Sequence, residues 1–165
     1  MRTLSIGGAL AALVISLVAC GGSPTSSDEL AVKRDADLYR IAEIERNWHQ
    51  ATSTHDIDLM MSLWSANATF TIKAGETLTG KEAIRRFWLA APVFQPENQW
   101  VSETPAYKLR ATVNGDRGTL YFECHYVDAT TGDVVAVTAA DQQVARIEGE
   151  WLITNNVGAS PILTP

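Results

Sequence analysis

Apolar residues recur along the chain with two different periods, and the change of period divides it. Leu38, Ile41, Ile44, Trp48 and Ala51 return every three or four residues, which lays them along one face of a helix. Lys33, Arg34, Arg40, Glu43, Arg46 and Asn47 occupy its other positions, and the pattern predicts a first helix over about residues 29–53. Thr54-His55-Asp56 interrupts it, with Asp56 placed as the N-cap of a short second helix over 57–64. Residues 68–72 then alternate as a strand, and Ala74-Gly75-Glu76 turns the chain back into Thr77-Leu78. Thr79 and Glu82 have the spacing of a capping box, which opens a third helix from Lys81 to about Ala90. Its apolar face is Ala83, Ile84, Phe87 and Trp88, and Pro92 and Pro96 end it.

From there the period is two. Strands are predicted over 100–113, 118–128, 134–147 and 151–157. The turns between them are Asn114-Gly115-Asp116, Thr130-Thr131-Gly132-Asp133 and Glu148-Gly149-Glu150, compositions that favour hairpins. Three helices followed by an antiparallel meander make an α+β domain, and no internal repeat is visible.

The segment before the helical pattern reads as an address. Met1-Arg2 is followed by an apolar run over 4–19, shorter than the roughly 20 residues a membrane-spanning helix needs. The run ends in Leu17-Val18-Ala19-Cys20, which resembles the lipobox of bacterial lipoprotein signals. That resemblance implies cleavage before Cys20 and a diacylglycerol on its thiol, which anchors the chain to a membrane. Gly21-Gly22-Ser23-Pro24-Thr25-Ser26-Ser27 has no apolar face to bury and reads as a spacer. The expected organisation is therefore a signal peptide over 1–19, a lipidated Cys20 and tether over 20–28, one domain over 29–158 and a C-terminal tail over 159–165. The expected location is the bacterial cell envelope, outside the cytoplasm. Gly21 after the cysteine does not resemble an inner-membrane retention signal.

Composition narrows the picture further. With 165 residues, 46% of them hydrophobic, the chain can bury one real core and is not disordered over most of its length. A net charge of −6, which becomes −7 when the one arginine of the signal is removed, argues against nucleic acid as a partner. Two cysteines exclude a disulfide-dense scaffold, and Cys124 reads as a small buried hydrophobe. His49 and His55 are off the i, i+4 spacing that puts two imidazoles on one helix face, and neither a metal site nor a cofactor is expected.

The order of elements, with residues 61–70 (MSLWSANATF), 78–84 (LTGKEAI), Asn114-Gly115-Asp116 and residues 149–153 (GEWLI), resembles the SnoaL-like branch of the nuclear transport factor two-like superfamily. The likeness covers roughly residues 38–158. It implies a curved antiparallel sheet wrapped around three helices, leaving a conical pocket, and a homodimer formed through the convex sheet face. Isomerases, cyclases, dehydratases, hydrolases and noncatalytic binding domains all share this fold, so the resemblance does not choose a function.

Acid–base chemistry in such a pocket needs a base near an apolar substrate and a donor for the developing oxyanion. Ketosteroid isomerase-like members use an aspartate base with a tyrosine and a protonated aspartate; scytalone dehydratase-like members use histidine, aspartate and tyrosines. Neither set can be placed here, because the first helix offers Ile44, Trp48 and Ala51 at pocket depth and residues 68–72 contain no acid. Alternation divides the run 121–126 into Leu120, Phe122, Cys124 and Tyr126 on the more apolar face, in phase with Gly118, and Tyr121, Glu123 and His125 on the other. The first set is expected to face the helices, and Glu123 and His125 the convex side. In the opposite phase Glu123 and His125 would be an acid–base couple. Asp141 and Gln142 face opposite ways, and alternation leaves open which one enters the cone; Asn155 and Asn156 are alike in this. The weak catalytic candidates are thus Asp141, His125, Tyr126 and Glu123, and the candidate pocket residues are Trp48, Trp64, Phe87, Trp88, Phe122, Tyr126, Thr138, Gln142 and Trp151. An apolar pocket with a few polar handles is the usual form of a small-molecule site. Three readings follow: binding of a small apolar or aromatic ligand, a cofactor-free acid–base enzyme, or a dimeric interaction module whose cone is filled by its own aromatics.

Overall fold

The computed structural model describes residues 26–72 and 75–157, together with the backbone of 160–163. The expected signal peptide and Cys20 lie outside the described residues. Helix α1 (Ser26–Thr54) begins three residues before the expected start at 29, so the last part of the expected tether is helical. Ile41, Ile44, Trp48 and Ala51 are buried, as their spacing predicts. Its end is a Schellman turn: His55 takes a left-handed φ of 57°, and the Asp56 N–H donates to the Ala51 carbonyl at 2.9 Å. Asp56 then caps α2 (Ile57–Ser62), its carboxylate accepting from the Leu59 N–H at 2.8 Å.

Strands β1 (Trp64–Thr71) and β2 (Thr77–Thr79) precede α3 (Lys81–Ala90). The expected capping box does not form. Thr79 is still paired with Thr69 in the sheet, the Gly80 N–H continues that ladder to the Ala68 carbonyl at 2.8 Å, and Gly80 turns into the helix with φ 83°. That positive φ suits glycine, which takes the N-cap place with no side-chain bond.

The predicted strand over 100–113 is broken in two, β3 (Trp100–Glu103) and β4 (Arg110–Asn114), both paired with β5 (Arg117–Asp128). Pro105 lies at the break, followed by a 3-10 turn over Ala106–Lys108; a proline has no N–H to continue a ladder. Then come β6 (Val134–Ile147), β7 (Glu150–Val157) and β8 (Ser160–Leu163). The segment expected as a tail thus includes a strand, which pairs with Val137–Ala139 of β6. Ile147 and Glu150 are joined by Glu148 and Gly149, both with positive φ, the two-residue hairpin turn that matches strand twist.

The sheet order is β2-β1-β7-β6-β5-β3, with β4 also on β5 and β8 also on β6. The expected all-antiparallel sheet is mixed: β1 runs parallel to β7. No hairpin joins these two strands, so no turn dictates their relative direction. The three helices and the curved mixed sheet enclose one core of Trp48, Trp64, Phe70, Ile84, Leu120, Phe122 and Ile153 with their neighbours. Gly118 lets α1 approach the sheet. A Cβ there would strike the Thr112 carbonyl and lie 3.0 Å from Ile41 Cδ1 and 3.2 Å from Val144 Cγ2.

Two polar clamps fix α1. Arg146 on β6 pairs with the buried Asp37 at 2.6 Å and with Asp116 at 3.0 Å, and its guanidinium lies 4.9 Å from the centre of the Trp151 ring. The Arg146 contact holds the Asp37 carboxyl below its ordinary range against the opposing effect of burial. The second clamp is His49. Thr104 donates its hydroxyl hydrogen to the Glu123 carbonyl at 2.9 Å, so toward His49 it accepts, which puts a hydrogen on His49 Nε2. That N–H lies 2.6 Å from Thr104 Oγ1 and 3.2 Å from Glu45 Oε1, while Nδ1 lies 2.5 Å from Ser102 Oγ.

Candidate functional site

The open end of the core is a pocket of about 190 Å³ lined mainly by α3, the 3-10 turn Pro92–Phe94 and the facing strands. Phe87 and Trp88 come from α3, Phe70 from β1, Trp100 from β3, Tyr126 from β5, and Ala136 and Thr138 from β6. Local rules bring them together. Phe87 and Trp88 end the apolar face of α3, Pro92 begins the 3-10 turn that brings Val93 into the lining, and Ala136 and Thr138 share one face of β6 by alternation. The rings interlock: Phe70 and Phe87 meet edge to face at 4.9 Å, Phe70 stacks on Trp88 at 5.9 Å, and Trp100 tilts against Tyr126 at 6.0 Å.

The lining is almost wholly apolar; Tyr126 and Thr138 are its hydroxyl-bearing residues, with Cys124 adjoining Tyr126. Burial pushes the Tyr126 phenol well above its usual range, so it stays protonated. Burial likewise pushes the Cys124 thiol up to about 12, which leaves it inert, in keeping with its reading as a small buried hydrophobe.

Of the expected pocket residues, Phe87, Trp88, Tyr126 and Thr138 line this cavity. Trp48, Trp64 and Phe122 form a layer of aromatics beneath it; Trp48 meets Trp88 at 5.0 Å, Phe122 at 5.6 Å and Trp64 at 5.9 Å. Gln142 points inward and is completely buried, deeper along β6 than Thr138. Trp151 is not among these residues. It adjoins a separate groove with Arg40, Glu43 and Asn47, and its indole N–H donates to Asp37 at 3.4 Å.

The strand phase of β5 is the expected one. Leu120, Phe122, Cys124 and Tyr126 are buried toward the helices, and Glu123 and His125 take the outer face. Glu123 is nonetheless buried there. Its carboxylate accepts from Lys108 Nζ at 2.9 Å, the Tyr121 hydroxyl at 3.1 Å and His125 Nε2 at 3.3 Å. The Lys108 bond is the main reason the Glu123 carboxyl lies below its ordinary range. Asp141 is exposed on the same outer face, opposite Tyr121. Of the four catalytic candidates, only Tyr126 reaches the pocket. Among the described residues, no group of three or more His, Cys, Asp or Glu could hold a metal ion.

Sequence reasoning missed Trp100 and Ala136 as lining residues, although both are in phase with inward neighbours on their strands. It also missed the environment of His49, whose hydroxyl partners lie 53 and 55 residues away on a segment whose break at Pro105 was not foreseen.

Comparison with known proteins agrees with this geometry. The family model of the SnoaL-like domain matches residues 46–151. No functionally curated protein matches the chain. Among solved structures, a nuclear transport factor two-like protein with a cystatin-like fold from Novosphingobium aromaticivorans superposes with a TM-score of 0.70 at 15% identity, over 86% of this chain and 92% of that one. A nuclear transport factor two-like protein of unknown function from Pseudomonas putida gives 0.66 at 16% identity, over 79% and 98%. A ketosteroid isomerase-like protein from Erwinia carotovora atroseptica gives 0.59 at 14% identity, over 77% and 97%. At these identities the structural matches speak for the fold alone. The chain belongs to the SnoaL-like domain family and has the nuclear transport factor two-like, cystatin-like fold.

Proposed function

We propose that the protein binds a small apolar or aromatic ligand in the pocket between α3 and the sheet, and that a lipid on Cys20 holds it at the cell envelope. The observation that carries the first half is the chemistry of the lining. Among the described lining residues Tyr126, kept protonated by burial, is the one titratable group, so they can surround and orient an apolar compound but supply no base. The acid–base reading would rest on Asp141, Glu123, His125 and Tyr126; the first three face the other way, and burial keeps Tyr126 protonated. The filled-cone reading would need the aromatics to close the space, and a cavity of about 190 Å³ remains among them.

Support for the anchor is the sequence of residues 1–27: a short apolar run, the Leu17-Val18-Ala19-Cys20 signal and a polar spacer leading to α1. No helix among the described residues is long and apolar enough to cross a membrane. The convex sheet face bearing Tyr121 and Asp141 is the proposed surface for a second copy.

Equilibrium dialysis against naphthalene tests the pocket. Binding to the full chain is expected, and Ala136→Trp, which fills the space, should weaken it at least tenfold. No binding, or equal binding by a folded variant, would sink the proposal. For the anchor, Cys20→Ser should shift the protein from the membrane fraction to the soluble one; an unchanged distribution would rule out lipidation at Cys20.

A further inference from the structure

A second set of polar groups lies deeper than the pocket. Gln142 and Asn156 are completely buried, and neither side-chain amide has a hydrogen-bond partner among the described residues. The same holds for the indole N–H groups of Trp48, Trp64 and Trp88. Gln142 and Asn156 face each other directly across β6 and β7. Opposed residues of adjacent strands hold their Cβ atoms about 4.5–5.5 Å apart, so the two amides form one patch. A packed core avoids such orphaned amides, and two together call for a polar guest.

The patch adjoins the pocket on two sides. Along β6 the inward positions run Ala136, Thr138, Ala140, Gln142; the first two line the pocket, and Ala140 interposes only a methyl group. Across β1 and β7, Asn156 is the direct partner of Phe70, whose ring is a pocket wall.

We propose that Gln142 and Asn156 are the inner end of the ligand site and recognise a neutral carboxamide or lactam edge on a ring compound held by the pocket. The inference rests on the reading of that pocket as a ligand site. Each side-chain amide offers both donor hydrogens and an acceptor oxygen, so the pair matches a group carrying C=O and N–H side by side. An ionised group does not suit the patch, because neither amide can neutralise a charge and unpaired ions are costly in an apolar interior. On this proposal the ligand's polar edge reaches the amides past the Phe70 ring and the Ala140 methyl.

The probes are 2-quinolone, a bicyclic lactam, and naphthalene, its apolar counterpart of similar size, measured by equilibrium dialysis against the full chain. The wild type should bind 2-quinolone at least tenfold more tightly than naphthalene. In Gln142→Leu/Asn156→Leu, which removes both amides at once, that preference should fall to within about twofold, with naphthalene affinity unchanged. Should the double variant fail to fold, Ala140→Ile serves instead, since it blocks the passage between Thr138 and Gln142 and should abolish the preference in the same way. Equal affinities in the wild type, or a preference that survives in a folded variant, overturn the proposal and leave the pocket reading standing. Failure of both compounds to bind overturns both readings.

Discussion

Tyr126 and Gly118 are both on the inward face of β5, and alternation in the sequence is enough to put them there. Their roles differ. Tyr126 lines the pocket, while Gly118 sets how closely α1 can lie on the sheet. Because a methyl group at 118 would strike the Thr112 carbonyl and crowd Ile41 and Val144, Gly118→Ala should lower stability by about 2 kcal/mol in urea denaturation. A variant as stable as the wild type would mean that α1 is not held so closely. Single-residue chemistry was less legible wherever the partner is remote in sequence. His49 looks like one more polar residue on a helix until the Pro105 break brings Ser102 and Thr104 to its two ring nitrogens. Gln142 and Asp141 could be assigned to faces only once the register with β5 and β7 was known.

At the scale of elements, helices were readable from period and strands from alternation, and the errors fall at their ends. Thr79 and Glu82 have the spacing of a capping box, yet sheet pairing holds Thr79 and the turn needs the positive φ of Gly80. The α1–α2 junction behaves as expected but at a cost, because His55 adopts a left-handed conformation that disfavours a side chain. His55→Gly should therefore raise stability by about 0.5–1 kcal/mol in thermal or urea unfolding. A loss of stability would show that the His55 side chain makes a contact worth more than that strain. The parallel pairing of β1 with β7 was not legible, because strands far apart in sequence carry no turn to set their direction.

For the whole molecule, the carboxylates that tie the layers together set its response to acid. The Asp37, Glu45 and Glu123 carboxyls all lie below their ordinary range. Arg146 is the main cause for Asp37 and Lys108 for Glu123; burial alone would raise Glu45, but His49 and Thr104 together bring it down. A carboxyl with a depressed folded pKa stabilises the fold above its unfolded pKa, and that contribution is lost as pH falls through the folded value. The urea midpoint should hold steady down to about pH 4.5 and drop below it, with a shallower decline in Glu123→Gln. A midpoint indifferent to acid would contradict these contacts.

On the proposed function, the space among Phe87, Trp88, Trp100 and Tyr126 holds a small molecule. Native mass spectrometry of the chain purified from its own host tests this most directly, with the same sample measured after denaturation. A noncovalent adduct of small-molecule mass is expected, one that disappears on unfolding and is absent from Ala136→Trp. A wild-type protein that carries no adduct and stays empty when naphthalene or 2-quinolone is added would contradict it.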